Sequence, residues 1–355
     1  MKKRIILLLI SVIFLISMFI SYKLSLFLLF IYILMYIIYL FKKYKINILS
    51  LTKLKNMIKS RNFKGNRQEI IIETFDGSGS LTHPSIQYFP NKFNGYIFWM
   101  VYTPYNNCDI ELENPCICVS NDGINFKNIG KTPLLPIIHS NQIEKKYYND
   151  PFLFFNDNHL EIWYRYTEEN KETIFNYVYR IISYDGVNWQ EPELMLDDNL
   201  SYMSLSIIKE NNKYKIFYFD YENKLCYRES ENLKIWKKPK IIDLNISEYP
   251  MWHAEIRFIN NSYEYLFIDK KYNLYYSIFD KNFKIKLIKK LDYTYDINEY
   301  YSNSLKYKST FIHFENKIYL YIPFRYDRIL LFKFKNFIRR KWRLVLYILD
   351  ENNIN

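Results

Sequence analysis

Beyond residue 68 the chain alternates between short apolar runs and polar, turn-forming residues. Runs such as EIWYRY and KIFYF are rich in aromatic and β-branched residues, which favour strands. No segment in this part shows the sustained 3.6-residue period of a long amphipathic helix. The pattern therefore predicts an all-β body built from many short strands.

The predicted strands recur as a unit that starts five times. In each unit an aromatic-rich second run follows the first, a third run follows the pair, and the copies begin 49 to 67 residues apart. Four short antiparallel strands at this period predict a five-bladed β-propeller. Residues 69–75 are predicted to close the ring against the C-terminal strands. The first residues of the five copies are His83, Asp150, Ser204, His253 and Lys308.

Two copies end their third run with almost the same phrase, SNDGINF (120–126) and SYDGVNW (183–189). Asp-Gly supplies the positive φ angles of a tight turn, and Ser and Asp can bond to their own local backbone. The aromatic residue at the end can pack the turn against a neighbouring sheet. The phrase therefore predicts a turn that the fold repeats, and not an active site.

Two apolar runs of 16 to 18 residues precede the β body, separated by Ser21, Tyr22 and Lys23. This length is near the lower limit for a membrane-spanning helix, so residues 1–45 are predicted to form two transmembrane helices joined by a tight turn. A cleaved signal peptide is the alternative for the first run. Basic residues flank both ends of the hairpin, which predicts a two-pass inner-membrane protein with its propeller on the cytoplasmic side.

The charge distribution separates the membrane end from the body. Residues 1–68 contain 13 Lys and Arg and no acid, whereas the rest contains 36 basic and 37 acidic residues. Residues 46–68 are thus predicted to be a basic juxtamembrane linker, residues 69–345 the propeller and residues 346–355 a C-terminal tail. The body lacks the basic surplus of a nucleic-acid-binding domain, so a lipid bilayer is the expected partner and nucleic acid is not.

The propeller motifs resemble those of a known superfamily. Asp-Pro opening a strand, an aromatic-rich second strand and Ser-x-Asp-Gly-x-x-Trp are similar to the five-bladed propellers of family 43 and related glycoside hydrolases. More narrowly, HPSI…TPY…ENP…SNDGINF resembles an uncharacterised bacterial and phage branch of that superfamily. The resemblance implies an axial pocket ringed by the five residues that open the copies.

The resemblance also implies three catalytic carboxylates: a base on blade 1, a pKa-tuning Asp on blade 2 and an acid on blade 3. Asp150 matches the second, but His83 and Ser204 stand at the other two positions. Glu113, Glu255 and His83 are the candidate substitutes for the acid and base. A capped loop carboxylate is the alternative for Glu113, and an inter-blade hydrogen bond is the alternative for Glu255.

Two further interpretations concern the same pocket. His83 and His253 could ligate a metal ion with Asp150, but buried, hydrogen-bonded histidines are more common, so neither a metal nor a cofactor is expected. Aromatic side chains near the strand ends can stack on sugar rings, although each could equally be packing. The predicted substrate-binding residues are Tyr102, Tyr105, Tyr164, Arg165, Ser204, Trp252, His253, Tyr307 and Lys308.

These features predict a membrane-anchored, carbohydrate-active propeller. A glycoside hydrolase or another glycan-processing protein, acting on a cell-envelope or lipid-linked glycan, is the first expectation. The alternative is a non-catalytic carbohydrate-binding or scaffold propeller in surface-polysaccharide assembly, because two of the three expected carboxylates are absent.

Overall fold

The computed structural model describes residues 22–23, 27, 30–36, 67–140, 143–244, 249–293, 301–329 and 338–350. Most of the predicted hairpin and linker lies outside these residues, and no helix within them is both long and apolar enough to cross a bilayer. Tyr22 and Lys23, which the sequence analysis places between the two apolar runs, are helical. Neither is one of the Gly, Pro, Asn or Asp residues that usually interrupt a helix.

In the residues that the structure describes from Arg67 onward, the body of the chain consists of 21 strands. In chain order they are β1 (Arg67–Ile70), β2 (Leu81–Phe93), β3 (Tyr96–Pro104), β4 (Cys116–Ser120), β5 (Lys127–Asn128), β6 (Lys145–Asn156), β7 (His159–Glu169), β8 (Ile174–Ser183), β9 (Glu193–Leu196), β10 (Met203–Glu210), β11 (Lys213–Phe219), β12 (Leu225–Ser230), β13 (Lys240–Ile242), β14 (Met251–Ile259), β15 (Ser262–Asp269), β16 (Leu274–Phe279), β17 (Ile285–Leu291), β18 (Tyr301–Lys306), β19 (Thr310–Phe314), β20 (Lys317–Ile329) and β21 (Ile338–Asp350).

Five antiparallel sheets form the blades, which confirms the predicted five-bladed, all-β propeller. Strands β2–β5, β6–β9, β10–β13 and β14–β17 form blades 1 to 4. Blade 5 combines β18–β21 with β1, because β1 pairs with β21 from Arg67↔Tyr347 to Ile70↔Leu344. This closure removes an open sheet edge, as predicted. The closing sheet extends from Arg67 to Asp350, beyond the predicted limits of 69 and 345.

Hydroxyl groups on the inner strands link one blade to the next. In three cases a Ser or Thr hydroxyl oxygen of one blade accepts a hydrogen bond from a backbone N–H of the next blade, with an N···O distance of 3.2 Å. These bonds hold the inner strands in register around the axis. The three acceptors and their donors are Ser85 with Leu153, Ser206 with Ile256, and Thr310 with Ile86.

Three inner strands carry a bulge at the residue that opens the repeat. The pairing register shifts between Thr82 and Ser85 in blade 1, and the equivalent shift occurs in blades 2 and 3. The residue at each shift has a positive φ: 51° at His83, 50° at Asp150 and 56° at Ser204. A left-handed residue in a bulge re-aims its side chain, and for a residue with a Cβ it stores strain that usually serves a site.

The repeated phrase is a turn, as predicted. In SNDGINF, Ser120 Oγ accepts the Gly123 N–H at 3.0 Å and Asp122 Oδ1 accepts the Asn125 N–H at 2.7 Å. The same pair of bonds, at 2.8 and 2.7 Å, forms in SYDGVNW. The aromatic Phe126 then packs edge-on against a tyrosine of blade 5.

We expect Gly186→Ala in the second phrase to destabilise the protein more than Gly77→Ala. Both glycines have a positive φ, 73° and 67°, so both substitutions place Ala in the left-handed region at about 1–2 kcal/mol. Only at Gly186 would the new Cβ lie 2.2 Å from the Trp99 ring, which adds about 1–3 kcal/mol of overpacking. Urea unfolding of both variants measures the difference; equal losses would show that the turn does not depend on Trp99.

Candidate functional site

The five residues that open the repeats form a buried ring at the propeller axis. Each ring residue is at most 3% exposed; the five are His83, Asp150, Ser204, His253 and Lys308. The bulges described above aim the first three at this ring. The structure thus brings together the predicted axial residues from all five blades.

Three ring members can supply metal ligands. His83, Asp150 and His253 each offer one ligand atom, and these three atoms lie within 4.8 Å of one another. His83 Nε2 is 3.5 Å from Asp150 Oδ1, and His253 Nδ1 is 3.7 Å from the same oxygen. Neither Asp150 Oδ1 nor His253 Nε2 has a hydrogen-bond partner, although both atoms are buried. Buried polar atoms normally have a partner, so this cluster has the capacity for one more group.

Both histidines are oriented by hydroxyl groups. His83 Nδ1 lies 2.9 Å from Thr103 Oγ1, and His253 Nδ1 lies 2.5 Å from Ser204 Oγ. Burial lowers the pKa of His253 to about 3 and the pKa of His83 well below its ordinary value, because the charged ring would lose its hydration. Two neutral imidazoles with fixed ring orientation are typical of metal-binding histidines.

The third member, Asp150, is held as an anion. Burial raises the pKa of Asp150, but the charges of Arg165 and Lys308 outweigh that effect and hold the pKa below its ordinary value. Arg165 Nη2 lies 3.1 Å from Asp150 Oδ2 and leaves Oδ1 facing the histidines. The ring therefore combines one carboxylate and two neutral histidines, a ligand set that suits a divalent ion such as Zn²⁺ with an open coordination position.

Glu113 is a second buried carboxyl group beside the ring. It follows a short 3-10 turn (Ile110–Leu112), is 4% exposed, and places Oε2 3.6 Å from His83 Nδ1. Burial first, and then the charge of Asp150, raise the pKa of Glu113 well above its ordinary value. Two carboxyl groups whose pKa values are pushed in opposite directions are typical of acid–base chemistry.

Aromatic rings line the side of the pocket formed by blades 4, 5 and 1. Tyr307 lies 5.2 Å from Trp252, 4.6 Å from His253 and 4.9 Å from Trp342, measured between ring centroids. Tyr105 stacks parallel to Tyr307 at 6.2 Å. Trp252, Tyr307 and Tyr105 are partly exposed, so their rings form a wall that a ligand can contact.

Two predicted site residues, Tyr102 and Tyr164, belong to the packed core of the blades. Tyr102 is fully buried and donates to Asn128 Oδ1 at 2.8 Å. Tyr164 is 1% exposed and packs edge-on against Tyr148. Both predictions are wrong, because alternate strand positions face the neighbouring blade and not the axis.

Glu255 is also structural. Its Oε1 accepts from Arg257 and, at 2.6 Å, from Thr310 of the next blade, which is the inter-blade alternative raised from the sequence. The guanidinium of Arg257 also donates to the Ile86 carbonyl of blade 1. Since blade 4 and blade 1 are not neighbours, this arginine reaches across the axis.

Three further predicted contacts to substrate are already engaged within the protein. Arg165 donates hydrogen bonds from Nε to Asn149 Oδ1 at 2.6 Å and from Nη1 to the Ser201 carbonyl at 3.0 Å. Its Nη2 forms the ion pair with Asp150. Ser204 is bonded to His253, and Lys308 Nζ donates to the Pro151 carbonyl at 3.2 Å. Burial lowers the pKa of Lys308, opposed by the nearby carboxylates Asp150 and Glu255. Each of these three side chains is therefore held by at least one hydrogen bond within the protein.

The sequence analysis missed Thr103, Asn149 and Trp342. Thr103 could have been found from strand pairing, because it stands opposite Thr82, next to His83, in the β2–β3 ladder. Asn149 directly precedes Asp150, and this adjacency is the only sequence signal that could have identified it. Trp342 lies in β21, far along the chain from the other aromatic residues, and no local pattern connects it to them.

Comparison with known proteins identifies the fold. No protein-family model matches the chain. Over 116 residues it is 30% identical to the A type blood N-acetyl-alpha-D-galactosamine deacetylase of Flavonifractor plautii. That alignment spans 32% of this chain and 15% of the deacetylase, so the chain matches only a small part of its relative's length.

Solved structures match over most of the propeller. The crystal structure of an N-acetylgalactosamine deacetylase from F. plautii in complex with blood group B trisaccharide has a TM-score of 0.67 at 16% identity, over 81% of this chain and 94% of that one. A family 43 glycoside hydrolase from Bacillus licheniformis has a TM-score of 0.54 at 12% identity, over 79% and 54%. The family 32 β-fructofuranosidase of Bombyx mori has 0.52 at 15% identity, over 80% and 68%. The chain is therefore a five-bladed propeller with structural neighbours among the family 43 and family 32 glycoside hydrolases.

Proposed function

We propose that the axial pocket binds a divalent metal ion and hydrolyses the N-acetyl group of an acetamido sugar on a glycan. The observation that carries the proposal is the buried cluster of His83, Asp150 and His253, in which Asp150 Oδ1 and His253 Nε2 have no hydrogen-bond partner among the described residues. The resemblance to a glycan deacetylase, in a stretch of sequence and across the fold, supports this choice of reaction. A glycan-processing role also agrees with the carbohydrate-active propellers that share the fold.

Amide hydrolysis needs metal ligands and a group that transfers protons, and different residues of the site would fill these two roles. A divalent ion held by His83, Asp150 and His253 would polarise the acetamide carbonyl and acidify a water molecule. Glu113, beside His83, accepts a proton from the attacking water and returns it to the departing amine nitrogen. Its raised pKa suits a group that must both accept and release a proton.

The aromatic wall provides the sugar site. Sugar rings present C–H faces that pack on aromatic side chains, and the partly exposed rings of Trp252 and Tyr307 adjoin His253. Burial raises the pKa of Tyr307, so its hydroxyl stays protonated and can donate to a substrate oxygen.

Glycoside hydrolysis is the second candidate, favoured by the opposed pKa shifts of Glu113 and Asp150. An inverting glycosidase needs its base to hold a water molecule. Asp150 instead has one oxygen on Arg165 and the other toward two histidines, and its environment does not favour that role. A non-catalytic binding module is the remaining alternative, and it needs no metal.

Product analysis separates these functions. We expect the purified full chain, incubated in mild detergent with glycans that end in acetamido sugars, to release acetate and leave products lighter by one acetyl group in mass spectrometry. Release of free sugar would instead establish a glycosidase. Retention of glycan without any product would make the protein a binding module.

Membrane anchoring through residues 1–45 completes the proposal, with the propeller on the cytoplasmic face and a lipid-linked glycan within reach. Its support is the pair of apolar runs and the basic residues that flank them. We expect the full chain to stay in the membrane fraction after a high-salt wash, and a chain starting at Gln68 to be released. A reporter fused after Asn355 should be active only in the cytoplasm; activity only after export would reverse the orientation.

A further inference from the structure

A chain of hydrogen bonds runs outward from Asp150 through blade 2 to the surface of blade 3. Arg165, which contacts Asp150, donates through Nε to Asn149 Oδ1 at 2.6 Å. Asn149 Nδ2 donates to Thr167 Oγ1 at 3.3 Å, and Thr167 Oγ1 donates to Asn176 Oδ1 at 2.8 Å. We call Asn149, Thr167 and Asn176 the blade 2 relay.

The relay ends at an exposed tyrosine. Asn176 Nδ2 donates to Tyr221 Oη at 2.8 Å, and Tyr221 Oη donates to the Asn199 carbonyl at 3.3 Å. The Asn176 backbone N–H also binds Asn199, through Oδ1 at 3.0 Å. Tyr221 is 56% exposed, so the path leads from the axis to solvent.

Every link of the relay has the same direction. Each group accepts from the residue nearer Asp150 and donates to the residue farther away, so no link can reverse without breaking its neighbours. Asn149, Thr167 and Asn176 are 4%, 2% and 2% exposed, and in that environment such bonds polarise one another. Burying three polar side chains costs free energy unless all are satisfied, and here each one both accepts and donates a hydrogen bond.

We propose that the blade 2 relay positions Arg165 so that it binds one oxygen of Asp150 and leaves the other directed at the two histidines. Arg165 is a long side chain with several rotatable bonds, and contact with Asp150 alone would not fix it. The relay fixes Nε from one side while the Ser201 carbonyl fixes Nη1 from the other. The relay thereby sets the affinity of the cluster for its ion, and the inference rests on the proposed function.

Thr167→Val tests the relay, because valine keeps the shape of threonine and removes both hydrogen bonds. Zn²⁺ titrated calorimetrically into the chelator-treated full chain should bind the variant about tenfold more weakly than the parent, since groups outside the ligand set typically change affinity 10- to 100-fold. In ¹⁵N-arginine spectra, the protected Nε–H signal of Arg165 should be lost. Thr167→Ser keeps the hydroxyl and should restore both.

The control is Ser277→Ala, which removes a buried hydroxyl that has no hydrogen-bond partner and lies in blade 4. It should leave both readouts unchanged. Equal zinc affinity and an unchanged Arg165 signal in Thr167→Val would overturn the relay and leave the proposed function standing. A parent chain that binds no zinc ion would overturn the proposed function and this inference together.

Discussion

Asp150→Asn is expected to lower kcat/KM for acetate release by at least a hundredfold, to near the limit of detection. The substitution keeps the side-chain shape but removes the negative charge from the cluster, and it leaves Arg165 without its anionic partner in a buried site. Loss of a group outside a metal's ligand set can already cost about 10- to 100-fold, and Asp150 is proposed as a ligand itself. Steady-state kinetics on an acetamido-sugar glycan, at a fixed concentration of divalent ion, measures the effect.

Asp157→Asn is the matched control for this variant. Asp157 also has a positive φ, 56°, but its side chain is 72% exposed and pairs with Lys209 at the surface. The control should retain nearly full activity and the same unfolding midpoint. If Asp150→Asn proved as active as Asp157→Asn, the axial cluster would not be the active site.

Glu113→Gln, assayed at saturating Zn²⁺, is expected to lower kcat by about 10²- to 10⁴-fold while weakening Zn²⁺ binding by only about tenfold. The reason is that Glu113 lies beside His83 but outside the cluster of three ligand atoms, so it transfers protons and does not hold the ion. Glutamine keeps the size and the buried position but cannot accept a proton. Kinetics and zinc titration on the same preparation separate the two roles.

Glu111→Gln, in the same loop but exposed, controls for changes in the loop itself. It should match the parent in both measurements. A Glu113→Gln variant that lost zinc binding together with activity would move Glu113 into the ligand set. Undiminished activity would remove Glu113 from the mechanism.

The repeat and the axial ring were predictable because both leave a periodic signal. The residue that opens each copy can be read from the spacing, and the bulges place those residues at the axis. The direction of a side chain within a blade leaves no such signal. Tyr102 and Tyr164 stand near strand ends as pocket residues would, yet Tyr102 packs in a buried cluster with residues of blade 5 and Tyr164 in one with residues of blade 1. The sequence therefore predicted them wrongly.

Contacts between distant parts of the chain were the other gap. Glu255 looks like a catalytic carboxylate in sequence, and only the proximity of Arg257 and Thr310 shows its structural role. From the sequence, His83 and His253 are interpreted as hydrogen-bonded histidines and not as metal ligands, because buried, hydrogen-bonded histidines are the more common kind in proteins. The structure shows that the hydrogen bonds to Thr103 and Ser204 and the cluster with Asp150 occur together.

Removal and return of the metal ion tests the central claim most directly. The full chain is stripped with a chelator, dialysed, and assayed for acetate release from an acetamido-sugar glycan before and after addition of Zn²⁺ or another divalent ion. We predict that stripping abolishes acetate release and that the ion restores it in the parent but not in His83→Ala. Acetate release that survives complete removal of metal would contradict a metal-dependent deacetylase.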